Sequence, residues 1–212
     1  MSIKDQYYIK SIDYKTAMHL VVTYHYLHRK PPYSQAFGLF HQDEIVGVII
    51  YGTPSSSSLR KGICGEDEKF NVIELTRLWI KDNTPKNVES FLIGNTIKLV
   101  NKEIIVSYAE IEQGHLGIVY QATNWLYTGL SAKRTNWYIE GLENKHSQTM
   151  ADRYTSKELK EKYGDRFKLV PRPRKHRYVY LNAKRKRKKE LMKKLKYSIS
   201  SYPKESDDLC LK

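Results

Sequence analysis

Two strand-like stretches carry charge where a sheet interior ordinarily has none. In "NVIELTRLWI" Arg77 stands among Leu75, Leu78 and Trp79, and in "EIIVSYAE" Glu110 closes an apolar run. A guanidinium in so apolar a strand is costly unless it meets a carboxylate or an anionic ligand. Glu110 or a bound anion is the expected partner. Glu74, three residues away in an extended strand, should point to the opposite face. A carboxylate at the carboxyl edge of a strand can take a proton from a nucleophile, or it can cap the helix that follows. Ser107 alternates with Tyr108, so only one of the two faces such a site. Tyr51, at a strand end beside Gly52, offers a stacking face and a hydroxyl. Ser90, at a helix start, is either a cap or a donor to phosphate or substrate.

Two further stretches hold chemically capable side chains. In "YHYLHRKPP" a helical reading sets His25 and His28 near one face, as a transition metal such as iron or zinc requires. His19, His41 and His115 are then the candidates for a third ligand. His28, Arg29 and Lys30 also suit phosphate contact. The run "QGHLGIVYQATNWLYTG", Gln113 to Gly129, has glycine near both ends and a helix-like apolar rhythm between them. A plain core helix would not crowd Gln121, Asn124, Trp125 and Tyr127 together.

The elements that must position these residues read as follows. A strand at 7–12 precedes a helix at 13–26 capped by Asp13. A hairpin covers 36–52, and "TPSSSSLRKGICGEDEKF" (53–70) reads as a loop. Strand 71–80, helix 89–102 and strand 103–110 form a parallel unit, whose carboxyl ends place Trp79–Asn83 and Ser107–Glu110 at the expected site. The helix at 113–129 comes next, then strand 135–142, a short amphipathic helix "SKELKEKYG" and strand 176–182. "AKRKRKKELMKKLK" (183–196) is a basic helix. This order predicts a mixed α/β (α+β) sheet flanked by helices over residues 1–182, with a basic C-terminal helix and tail at 183–212.

Composition narrows the partners. The 212 residues are 40% hydrophobic and 12% aromatic, with 17 tyrosines and a formal net charge of +14. Residues 168–196 hold 14 lysines and arginines against a single acid, Glu190, so nearly all the excess charge lies in one segment. That is the footprint of a polyanion partner, with Lys175, Arg177, Lys184, Arg185, Lys186, Arg187 and Lys188 as its expected contacts. Cys64 and Cys210 form no CxxC pair, which speaks against a zinc ribbon or a disulfide framework. With no apolar leader or membrane-length run, the expected location is the cytoplasm.

The motifs "HYLHRKP", "YGTP", "ELTRLWI", "ESFLIGNTIK", "SYAEIEQGHLGIVYQATNWLYTG" and "KHRYVYL", in this order, resemble the phage Mom family, over about residues 20–182. The element order resembles the GNAT acyltransferase fold. The resemblance implies a DNA-modifying transferase that adds a carbamoylmethyl-type group to N6 of adenine in phage DNA and so shields it from host restriction enzymes. It implies double-stranded DNA as partner, a host or phage factor alongside, and an acyl-CoA-type donor. In the GNAT pattern a tyrosine near the end of the 113–129 segment protonates the leaving thiolate. Trp125 holds that place here, with Asn124 and Tyr127 beside it. The pattern's pyrophosphate loop is rich in glycine, whereas "PKNVESF" has none and leaves Lys86, Asn87 and Ser90 as donors. The counterpart of Glu110 is usually Asp. An extruded adenine would stack on Tyr51, Trp125, Trp137 or Tyr138. Two other readings remain open: an acetyl-CoA-dependent N-acetyltransferase acting on a protein or RNA amine, and a basic nucleic-acid-binding protein without catalysis.

Overall fold

The structure, a computed structural model, describes residues 2–142, 150 and 153–204. Its strands are β1 (Tyr7–Ile12), β2 (Gln35–His41), β3 (Glu44–Gly52), β4 (Val72–Ile80), β5 (Ile104–Glu110), β6 (Leu126–Leu130), β7 (Arg134–Ile139), β8 (Phe167–Arg172) and β9 (Lys175–Leu181). Seven of them form one sheet in the order β1-β2-β3-β4-β5-β9-β6, and β7 pairs with β8 separately. Every neighbouring pair is antiparallel except β4 with β5. The mixed sheet flanked by helices is the architecture that the element order predicts.

Helices cover both faces. On one, α4 (Val88–Thr96) and α5 (Ile118–Ala122) bury Leu92, Ile93 and Tyr120 against Ile49, Tyr51, Ile73, Leu75 and Ile105. On the other, α2 (Tyr14–Tyr24) lays Ala17, Met18 and Val21 on Val48 and Ile50. Farther along that face, α3 (Ser57–Cys64) and the C-terminal helix Arg185–Lys194 pack Ile63, Cys64 and Leu191 over Val72, Ile104, Val106 and Val179. Removing apolar area at about 25 cal/mol per Å² makes these contacts the main source of stability. The sheet face between the two helical patches is left for polar side chains.

Three expectations need correction. Residues 53–70 are not all loop: Ser56 accepts from the Leu59 amide (3.2 Å) and starts α3. The helix expected at 113–129 is five residues long and ends at Ala122. Asn124 then turns left-handed (φ 61), and Leu126–Leu130 runs as a strand against β9. Finally, α2 stops at Tyr24, because its cap His25 is already extended (φ −77, ψ 136). Of the segment 183–212, residues 205–212, with Cys210, lie outside the described residues. No helix among the described residues is long and apolar enough to cross a membrane.

Candidate active site

An irregularity in β4 decides which side chains meet. Gly52 lies opposite Glu74 and Tyr51 opposite Leu75, but Ile50 lies opposite Arg77, so Thr76 is an extra residue on β4. A bulge of this kind reverses the side-chain alternation beyond it. Glu74 and Arg77, which plain alternation would separate, therefore share a face. Thr76 Oγ1 lies 3.1 Å from the Pro32 carbonyl and 3.2 Å from the Ile50 carbonyl, which ties the bulge to the chain entering β2. The expectation that Glu74 points away from Arg77 is thereby overturned.

Neighbouring strands complete the cluster. β4 and β5 pair only at Val72/Ile104, Ile73/Ile105 and Glu74/Val106, and beyond Glu74 the strands part. Alternation from Val106 puts Tyr108 and Glu110 on the face of Glu74. β9 sets Arg177 opposite Tyr108 and Lys175 opposite Glu110, and Lys175 Nζ forms an ion pair with the Glu110 carboxylate. Glu74, Arg77, Tyr108, Glu110 and Lys175 thus share one sheet face at the carboxyl ends of β4 and β5.

These groups are desolvated and unevenly partnered. Burial pushes the Glu74 carboxyl up to about 7, with Lys175 and Arg77 pulling it back only in part. Burial also lowers the Arg77 guanidinium, against the opposing fields of Tyr26, Glu110 and Glu74. Arg77 Nη1 donates to the adjacent Thr76 carbonyl (2.6 Å), but its buried Nε has no partner among the described residues. A buried unpaired donor costs on the order of 1–3 kcal/mol, so the site is built with a donor in reserve. Burial raises the Tyr108 phenol as well, with Glu74 adding to it.

The segment between α2 and β2 closes over this face. Pro32 lies so near Gly52 that an added Cβ would sit 2.2 Å from the Pro32 carbonyl oxygen, so only glycine fits there. His25 is buried, its ring stacks on Tyr26 (4.4 Å), and Tyr26 meets His115 edge-on (6.1 Å). Burial, with Arg77 nearby, drives the His25 imidazole down to about 4, so it is neutral at physiological pH. Its Nδ1 accepts from the Leu27 amide (3.1 Å). Burial and the Glu110 carboxylate push the Tyr26 phenol up to about 12, so it keeps its proton.

The two histidines do not share a helix face. His28 has left-handed φ (44), and its Nδ1 lies 2.9 Å from the Val22 carbonyl. Among the described residues, no group of three or more His, Cys, Asp or Glu could hold a metal ion. His25 and His28 therefore do not share the helix face that the metal reading needed, and among the described residues no further ligands join them.

The remaining predicted residues divide. Tyr51 is wholly buried with its hydroxyl 2.8 Å from Thr96 Oγ1, so no ligand ring can reach its face. Ser107 faces the α4 and α5 side, where its hydroxyl lies 2.9 Å from the Leu75 carbonyl and 2.8 Å from the Tyr120 hydroxyl. It bridges the parting strands from beneath. Trp125 is fully enclosed, and Tyr127 is buried with its hydroxyl 2.9 Å from His176 Nδ1, whereas Asn124 is exposed. At the start of α4, Lys86 and Asn87 are exposed, and the Ser90 hydroxyl donates to the Asn87 carbonyl (2.9 Å). Asn87 is left-handed (φ 72), the conformation a glycine usually supplies. The backbone there suits an anion, while Glu89 in the first turn opposes one.

The basic residues divide too. Arg29, Lys30, Lys184, Arg185 and Lys186 are exposed, and Lys188 sits partly covered over the Tyr180 ring (5.4 Å). Arg177 instead stacks on Tyr197 (3.4 Å) and donates to Thr128 Oγ1 (2.9 Å) and to its carbonyl (2.7 Å). Arg187 pairs with Glu68 (2.7 Å) and Glu103 (2.9 Å), and Lys175 with Glu110. These three serve internal contacts. Glu74, Tyr26 and the pairing of Lys175 escaped sequence reasoning. A strand carboxylate near Arg77 was the one available signal, and alternation argued against it.

The sequence profile of the Mom protein family matches residues 6–204. The methylcarbamoylase Mom of Escherichia phage Mu is 29% identical over 122 residues, which are 55% of this chain and 51% of that protein. The chain thus aligns with about half the length of this curated relative. Among solved structures, an N-acetyltransferase from Staphylococcus aureus Mu50 matches over 83% of this chain and 97% of its own, at 12% identity and a TM-score of 0.44. A GNAT family acetyltransferase from Elizabethkingia anophelis with acetyl-CoA bound matches over 84% and 99%, at 11% identity and a TM-score of 0.45. The profile runs through every element that builds the polar face, from the strand that follows α1 (Ile3–Gln6) to the far side of the C-terminal helix, and on that ground the chain belongs to the Mom protein family.

Proposed function

We propose that this protein is a transferase that places a carbamoylmethyl-type group on N6 of adenine in double-stranded DNA. Family membership and the name of the phage Mu relative support the reaction class. The observation that carries the reading is the bulge-aligned face of Glu74, Arg77, Glu110 and Lys175, roofed by His25 and Tyr26.

Adenine N6 is a weak nucleophile, because its lone pair is delocalised into the ring. As the new N6–C bond forms and the bond to the leaving group breaks with its electron pair, one N6 proton must depart. Glu110, paired with Lys175, accepts it. Glu74, with its carboxyl near 7, is present in both protonation states at neutral pH and takes up charge as the cluster gains a proton. The spare Arg77 donor meets the carbonyl oxygen of the transferred group and orients it. Tyr26 stays protonated and holds a hydrogen at the mouth of the site. A carbamoylmethyl group is joined to N6 through its methylene, so its donor would carry the leaving group on that carbon. An acyl-CoA thioester, its phosphates held at Lys86 and the amides that open α4, would instead release the CoA thiol and give an N6-acyl adenine, which fragmentation of the modified nucleoside tells apart.

In a duplex N6 is paired and stacked, so the base must leave the helix, at about a few kcal/mol. Exposed Arg29, Lys30, Lys184, Arg185 and Lys186 offset part of this through phosphate contacts. Mass spectrometry of nucleosides from DNA of cells expressing the protein tests the reading. A heavier deoxyadenosine is expected, falling at least about 100-fold in Glu110→Gln and Arg77→Ala variants that fold normally. Full modification by Glu110→Gln removes the base assignment. An adduct on another nucleoside removes the adenine assignment.

A further inference from the structure

A second polar concavity lies at the other end of β4. A pocket of about 310 Å³ opens where the start of β2, α3 and the turn before β4 converge. Val72 and Ile73 line it, just before Glu74 on the strand, and Arg77 lies five residues beyond Val72, roughly 15 Å away at about 3.3 Å per residue. No acid is among its described lining residues, whereas Arg60, Lys69 and Lys102 are.

The cations are not equivalent. Lys69 is paired with Glu66, and Lys102 Nζ donates to the Phe70 carbonyl (2.8 Å). Arg60 makes no side-chain hydrogen bond or ion pair with the described residues, and its Nε is buried without a partner. Gln35 Nε2, on the facing strand, is likewise buried and unsatisfied. Two such donors on one pocket is an expensive arrangement for an empty cavity, and it matches an oxyanion in number and chemistry. At the pocket Phe70 is 70% exposed, with Lys69 Nζ 4.9 Å above its ring. An exposed ring beside unspent donors is the pairing by which proteins hold unpaired nucleotides, base on the ring and phosphate on the cation.

We propose that this pocket binds an unpaired nucleotide, its phosphate on Arg60 and Gln35 and its base against Phe70. The nucleotide is either free or part of a DNA strand. Its lining residues are not those given a part in the transfer chemistry, and its binding is measured without turnover.

Isothermal titration of the full chain at low salt with deoxyadenosine monophosphate, an eight-nucleotide single strand and inorganic phosphate tests this. Both nucleotide probes should bind more tightly than phosphate. Arg60→Gln should weaken them about tenfold, and Phe70→Ala about fivefold, as the loss of one charged contact and one stacked ring requires. Neither substitution removes a side-chain hydrogen bond or ion pair among the described residues, and Phe70→Ala gives up only the Lys69 ammonium over its ring; thermal melts beside the titrations show that both variants fold. Weakening confined to the single strand assigns the pocket to DNA, and weakening confined to the mononucleotide assigns it to a free ligand. Unchanged affinity in Arg60→Gln overturns the site. Phosphate binding as tight as the nucleotides, with Phe70→Ala silent, overturns its nucleotide specificity.

Discussion

Glu68 is a buried glutamate and Glu74, a few residues on, a half-buried one, and their surroundings push them in opposite directions. Glu68 meets Arg187 (2.7 Å) and Lys194 (2.6 Å) from the C-terminal helix, and Asn71 Nδ2 (3.3 Å). Burial works against its charged form, but these bonds together hold its carboxyl down to about 2. Glu74, half-buried, is desolvated too, yet Lys175 and Arg77 act on it only through their fields, and its carboxyl rises to about 7. The difference lies in hydrogen bonds made to the charged form. A carboxylate with its donors in place fastens a helix to a sheet. One kept short of them stays ready to exchange a proton.

The widest separation of the two comes from pH. The folded pKa of Glu74 lies above its unfolded value of about 4.5, so the folded state binds more protons between those limits. Its contribution therefore falls as pH rises from about 4.5 to 7, and above that it costs up to about 3 kcal/mol. Glu74→Gln should raise the melting temperature at pH 8, change little at pH 4, and remove modifying activity. Stability and function then part company in one variant. Glu68 runs the other way: its stabilisation is complete above about 4.5 and is lost as pH falls toward 2. Glu68→Gln should cost about 2–3 kcal/mol at pH 7 and almost nothing near pH 2. Urea unfolding of both variants at pH 4 and pH 8 checks the pair. Shifts of the same sign at pH 8 would break the contrast.

The sequence showed the ingredients of this contrast more clearly than their arrangement. β4 and β5 were legible because their apolar runs are long and continuous, and Arg77 and Glu110 stood out against them. The bulge at Thr76 was not, since the alternation of one strand says nothing of its register with the next. The apolar rhythm of 113–129 also suits a short helix followed by a strand, and the left-handed turn at Asn124 decides for that arrangement. α3 was hidden in a serine-rich stretch, because Ile63 and Cys64 find their apolar partners in strands β4, β5 and β9 and in Leu191, all later in the chain. Net charge located the basic segment but did not separate Arg187, which holds Glu68 and Glu103, from its exposed neighbours.

That last distinction can be measured on a single helix. Lys184, Arg185 and Lys186 are exposed, whereas Arg187 spends its guanidinium on Glu68, Glu103 and Glu190. A side chain free to neutralise a phosphate releases a counterion, and each such contact contributes about 0.9 to the slope of log affinity against log salt. Replacing Lys184, Arg185 and Lys186 together by Gln should flatten that slope by up to about 2.7 for duplex DNA, with the melting temperature unchanged. Arg187→Gln should do the reverse, lowering the melting temperature while leaving the slope within about half a unit of its starting value. Fluorescence anisotropy on a labelled duplex from 50 to 200 mM salt, beside thermal melts, reads both quantities. Equal slopes in the two variants would mean that the helix meets DNA with its tethered side or not at all, because an ion-paired guanidinium has no counterion to release.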